Sequence, residues 1–218
     1  MSTPKPRRPD TRTRLLTTAS RMFAEKGFQE TTIADICKQA EANIASVNYH
    51  FRDKENLYLQ AWRFAFQLDL AAHPVDGGVP CDAPANQRLA GRIRSLMGRI
   101  DDDNSHFFAI INKEMAQPTQ LLPEILVKEI NPQRQAMMAI IKELLGSAAS
   151  EQNVQYSHAS IIGQCFHFAR MKHMLANSQL PFELPDELDA TAYTEHVIRF
   201  SLAGIAALRQ PMSGNGEI

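Results

Sequence analysis

Apolar residues along this chain recur at helical intervals, and no stretch of useful length alternates as a strand would. Between Thr31 and Glu55, Ile33, Ile36, Cys37 and Ala40 fall at i, i+3, i+4 and i+7, which is one face of a short helix. Thr32 stands where an N-cap belongs, with Asp35 three residues on. Glu41-Ala42-Asn43 breaks the pattern, and Asn43 can cap a second helix whose apolar side is Ile44, Val47 and Phe51. That leaves Ala45, Ser46, Asn48, Tyr49 and His50 facing away from the core. Two short helices about a tight polar corner predict a helix-turn-helix. Upstream, Asp10 can cap a helix carrying Leu15, Leu16, Ala19, Met22 and Phe23, closed by Gly27 with Phe28 beyond it. Downstream, Asp53 precedes a long helix in which Leu57, Trp62, Phe64, Phe66 and Leu68 are apolar on more than one side.

The remaining elements are also helical. Pro74 to Asn86, rich in Pro and Gly, predicts a mobile loop, and Asn86 is the expected cap of the helix after it. In that helix Leu89, Ile93, Leu96, Met97 and Ile100 form one face, and Arg88, Arg92 and Arg99 lie away from it. Short helices follow over 106–115 and 122–130. Asn131-Pro132 breaks or kinks the chain before a helix over 133–145, and Gly146 closes that segment. Two long helices, at about 154–177 and 186–208, finish the chain. The second of them carries the small residues Ala203, Gly204, Ala206 and Ala207. The fold class is all-α.

Composition sharpens this picture in two places. The net charge of −1 over 218 residues conceals an excess of +4 in residues 1–63 and of −5 in the rest, which suits a head that meets phosphates on a body that need not. Residues 1–9 are polar, basic and Pro-rich, so a disordered tail is expected, with Lys5, Arg7 and Arg8 able to lie along a duplex. Cys37, Cys81 and Cys165 are widely spaced with no CxxC, so neither a disulfide framework nor a zinc site is expected. His158, Cys165, His167 and His173 share one helix, but Cys165 and His167 are two apart and point to different faces. The expected metal is therefore none. No secretory signal or membrane span is expected, which predicts a cytoplasmic protein. The chain has no GxGxxG, Gly-Lys-Ser/Thr phosphate loop, HExxH or GxSxG, so no enzyme and no cofactor are expected.

The run from Thr31 through Asn43–Phe51 to Lys54-Glu55 resembles the DNA-binding domain of TetR-family transcriptional regulators. Thr31, Thr32, Ile33, Ile36, Ala40, Ala45, Tyr49, His50, Phe51, Lys54 and Glu55 carry the match. Glu41 stands where the family usually has Gly, and Asn48 where it often has Tyr. Asn43-Ile44-Ala45 resembles the CecR-like subgroup, as does the body over 106–146, through Lys113-Glu114, Pro118-Thr119 and its final Pro-containing helix. The resemblance implies a three-helix DNA-binding domain over 10–56 and a larger effector-binding and dimerisation domain over 57–209, with a disordered tail at 210–218.

It also implies a homodimer joined through the helices at about 154–177 and 186–208, a double-stranded palindromic operator as partner, and release by a small-molecule effector. A repressor is the expected role. An activator or ligand-independent regulator is the alternative, and a helical protein-interaction module is the alternative of another class. Thr31 and Thr32 can offer hydroxyl and N–H groups to phosphate. Asn48 can pair with adenine, Ser46 with several bases, and the Ala45 methyl with thymine. Asn43, Tyr49, His50 and Lys54 complete the expected DNA face, with Tyr49, His50 and Lys54 resembling backbone-contacting positions. Trp62, Phe66, Phe107, Phe108, Met115, Met137, Phe166 and His167 are the candidate lining of an effector pocket.

Overall fold

Helical periodicity becomes helix wherever its apolar face finds cover. The structure, a computed structural model, describes residues 9–176 and 189–209. In order the helices are α1 (Thr11–Glu30), α2 (Ile33–Gln39), α3 (Ile44–Phe51), α4 (Lys54–Ala72), α5 (Ala85–Asp101), α6 (His106–Ala116), α7 (Leu122–Ile125), α8 (Asn131–Leu145), α9 (Glu151–Ala176) and α10 (Ala190–Leu208). The described residues contain no strand, and the fold is all-α. The basic tail through Arg8, the tail from residue 210 and the expected helix start at 186 lie outside the described residues.

Two compact units divide the chain, and neither is continuous. The first holds the residues up to Ala72 together with Asn104–Glu129, and the second holds His73–Asp103 with the residues from Ile130 on. The sequence places a single boundary at 56/57, whereas α4 and α6 both pack with α1 in the first unit. The reason lies in the wide apolar girth of α4. Tyr58, Ala61, Trp62 and Ala65 are buried and need cover on several sides.

In the first unit Leu15, Met22, Phe23, Ile36, Val47, Phe51, Leu57 and Trp62 are fully enclosed, and Phe23 meets Tyr58 edge-on at 4.7 Å. The buried Ser20 hydroxyl lies 2.7 Å from the Leu16 carbonyl and 2.9 Å from that of Ala61, which ties α1 to α4. Arg63 of α4 pairs with Glu129 at 2.7 Å and Glu124 at 3.1 Å.

In the second unit α5, α8, α9 and α10 enclose Leu89, Ile93, Ile141, Leu145, Cys165, Phe168 and Val197. Two expectations for α5 change here. Pro84 rather than Asn86 precedes its first residue, and Arg99 is buried, with its Nε donating to the Ser95 carbonyl at 3.4 Å. The preceding loop is pinned rather than free. Gly77 lies so close over Gly91 that a Cβ on Gly91 would meet the Asp76 carbonyl oxygen at 2.2 Å. Asn131-Pro132 does not break the chain. A π turn over Leu126–Ile130 leads directly into α8, and the wider turn accommodates the proline's missing donor.

Candidate nucleic-acid interface

An isolated eight-residue helix is marginal in water, so α3 depends on what holds its ends and its inner face. Asn43 caps it. Its side-chain oxygen accepts from the Ser46 amide and from the Ser46 hydroxyl, each at 2.8 Å. Val47 and Phe51 are fully buried against the first unit's core. At α2, Thr32 accepts from the Asp35 amide at 3.1 Å, while its hydroxyl donates to the Asp35 carboxylate at 2.7 Å. This is an N-cap whose own hydroxyl is held by the aspartate three residues on.

Between the two helices Glu41 takes φ +49°, the left-handed region. That explains why glycine usually serves at this corner. Arg14 of α1 holds the corner from behind, with Nε donating to the Ala40 carbonyl at 3.1 Å and a terminal nitrogen to that of Glu41 at 3.2 Å.

The outer face of α3 presents Ala45, Asn48 and Tyr49, all exposed, and half-buried His50. Tyr49 is the most open, at 84 %. Its ring meets His50 edge-on at 4.9 Å. Ile44 corrects the sequence expectation. It is 54 % exposed, so it belongs to the outer face and not to the core. Its i, i+3 relation to Val47 disguises this, because the first residue after an N-cap sits where the chain enters from outside. The short spacing Asn43-Ile44 was the available signal.

Four expected contact residues have other engagements. Thr31 is wholly buried, and its hydroxyl faces the Gly27 carbonyl at 2.8 Å and that of Met22 at 3.2 Å, closing the α1–α2 turn. It has no hydroxyl to offer a phosphate. The Asn43 and Ser46 polar groups serve the cap. Lys54 is half-buried with its ammonium 4.3 Å from the centre of the Phe28 ring, and burial lowers its pKa against the opposing pull of Glu55. Thr32, Asn48, Tyr49 and Ala45 stand where a duplex can reach them.

The expected pocket residues do not come together as one set. Trp62, Phe66, Phe107 and Phe108 form a buried aromatic cluster in the first unit, with ring centres 4.8–5.5 Å apart in successive contacts. The Trp62 indole N–H is buried with no hydrogen-bond partner among the described residues. Met115 is 66 % exposed, and in the second unit Met137 is buried while Phe166 and His167 are exposed. Met115, Phe166 and His167 therefore do not line an enclosed cavity, because their helices turn those positions outward. Among the described residues no group of three His, Cys, Asp or Glu side chains could hold a metal ion, and no helix is long and apolar enough to cross a membrane.

Comparison with known proteins gives a consistent picture. Residues 15–61 match the family "Bacterial regulatory proteins, tetR family", and residues 85–205 match "HTH-type transcriptional dual regulator CecR, C-terminal domain". The CecR dual regulator of Shigella flexneri is 24 % identical over 164 residues, 71 % of this chain and 73 % of that protein. The regulator AcrR of the same organism is 30 % identical over 56 residues, 26 % of each chain, so this chain spans about a quarter of it. Among solved structures, a TetR-like transcriptional regulator from Rhodococcus sp. RHA1 superposes with a TM-score of 0.67 at 14 % identity, covering 92 % of this chain and 99 % of its own. AibR, solved with isovaleryl coenzyme A and operator DNA, gives a TM-score of 0.62 at 17 % identity, covering 88 % of this chain and 97 % of its own.

Proposed function

Because the chain belongs to the TetR family of transcriptional regulators and carries a CecR-type C-terminal domain, we propose that it is a homodimeric, effector-responsive repressor of a palindromic operator. It is a DNA-binding regulator and not an enzyme. The observation that carries the proposal is the capped, buttressed α3 with Ala45, Asn48 and Tyr49 turned outward. On this reading Asn48 pairs with an adenine edge, Ala45 and Ile44 touch thymine methyls, and Thr32, Tyr49, His50 and Lys54 meet the backbone.

Two heads in a two-fold dimer would read half-sites a helical turn or more apart, in the cytoplasm. The orphaned Trp62 N–H supports an effector bearing a hydrogen-bond acceptor within the aromatic cluster, since a buried unpaired donor gains most from such a partner. Its binding would change operator affinity by a coupling of about 1–3 kcal/mol. The CecR relative is a dual regulator, which favours a second reading, in which one operator is repressed and another activated.

Gel-shift titration with selected and random duplexes tests the DNA face. Lys54→Ala should weaken both duplexes alike and reduce the salt dependence by about one phosphate. Asn48→Ala should cost about 1–3 kcal/mol on the selected site and relax one base position. Equal losses on both duplexes from both variants would remove Asn48 as a base reader.

A further inference from the structure

The CecR-like signature Lys113-Glu114 and Pro118-Thr119 has no part in DNA contact, yet the first unit gathers its polar residues at one cavity. The cavity holds about 250 Å³ and lies between the α1 C-terminus, α4 and α6. Glu114, 2 % exposed, is one of the residues that line it. Glu114 accepts from the Tyr58 hydroxyl at 2.7 Å, from the Thr119 amide at 3.1 Å and from the Thr119 hydroxyl at 3.1–3.2 Å. All three donors are neutral.

A buried carboxylate with no cation beside it is poorly compensated, and an ammonium group is the natural complement. The cavity's two lysines, Lys26 and Lys113, are exposed and make no ion pair among the described residues. Glu25, on the same wall, is already held by Arg21 at 3.0 Å. The cavity is thus lined by the buried Glu114 carboxylate and by exposed Glu30, Lys26 and Lys113, none of them in an ion pair among the described residues, so the two lysines outnumber the exposed carboxylate left beside them.

We propose that this cavity is a binding site for a small zwitterion of the amino-acid class, its ammonium on Glu114 and its carboxylate toward Lys26 and Lys113. The volume limits the ligand to a few heavy atoms beyond the two charged ends. The site is separate from the Trp62 cluster. Its wall at Gly27–Glu30 runs straight into Thr31 and the Thr32 cap of α2, so an occupant braces the turn that precedes the helix-turn-helix.

Calorimetric titration of the full chain with 5-aminopentanoate, pentylamine and pentanoate tests this. The zwitterion should bind saturably, pentylamine about tenfold more weakly and pentanoate not at all, as loss of one charge-assisted hydrogen bond implies. Glu114→Gln should abolish binding of both amines. Lys113→Ala, an exposed position that should not impair folding, should lower the zwitterion toward the level of pentylamine, with Lys26 left to hold the carboxylate. Absence of saturable zwitterion binding, equal binding of zwitterion and pentylamine, tight binding of pentanoate, or a Lys113→Ala variant that keeps the full preference would each overturn the proposal. No DNA enters the experiment, so its failure leaves the regulatory proposal standing.

Discussion

Single residues in this protein carry strain or silence that the rest of the chain absorbs. Glu41 adopts the left-handed conformation without being glycine, and Arg14 clamps the carbonyls on either side of the corner. Glu41→Gly should therefore stabilise the fold, by up to about 1 kcal/mol, after the greater freedom of glycine in the unfolded chain offsets part of the relief. Urea denaturation reads this directly, and an unchanged or lowered midpoint would mean that the corner is not strained.

His158 is half-buried on α9, where desolvation first and the Arg134 charge second lower its pKa. His106 is likewise lowered, first by desolvation and then by Arg21. A depressed folded-state pKa means that the unfolded chain binds more protons. The stabilisation is complete above the unfolded value of 6.5 and is lost as pH falls below it toward the folded value. Urea midpoints at pH 5.5 should lie below those at pH 7.5, and His158→Gln should narrow the gap.

At the scale of elements, each departure from the expected helix has a local cause. Gly27 interrupts α1 at φ +78°, yet the helix resumes for one more turn to Glu30 because Thr31 bonds back to the Gly27 carbonyl. The loop before α5 is held by the glycine pair at Gly77 and Gly91, where backbone meets backbone with no room for a side chain. Gly91→Ala should cost about 1–3 kcal/mol and lower the melting temperature, since the added methyl must displace the Asp76 carbonyl. An unchanged melting curve would show that the loop lifts away freely. Periodicity could not reveal this contact, because glycine leaves no mark on an apolar pattern.

For the molecule as a whole, the outward faces of α9 and α10 matter most. Tyr156 is 63 % and Phe200 62 % exposed, and exposed Gly163, Ala203 and Gly204 leave space for a close partner helix. These faces support assembly of two copies through α9 and α10. Phe200→Glu should convert a dimer to a monomer in sedimentation experiments and weaken operator binding. A wild-type chain that sediments as a monomer would refute the dimer itself.

The sequence by itself determined the helical class, the helix-turn-helix with its Thr32 and Asn43 caps, and Val47 and Phe51 as the inner side of α3. These depend on spacing and short-range hydrogen bonds, which a linear pattern records. Tertiary structure alone decided that Thr31 is a buried latch and Ile44 an exposed apolar side chain. It also decided that α4 and α6 belong with the head, and that Tyr58, Glu114 and Thr119 meet around one cavity. Those facts depend on which surfaces cover one another, and burial is a relation between segments far apart in the chain.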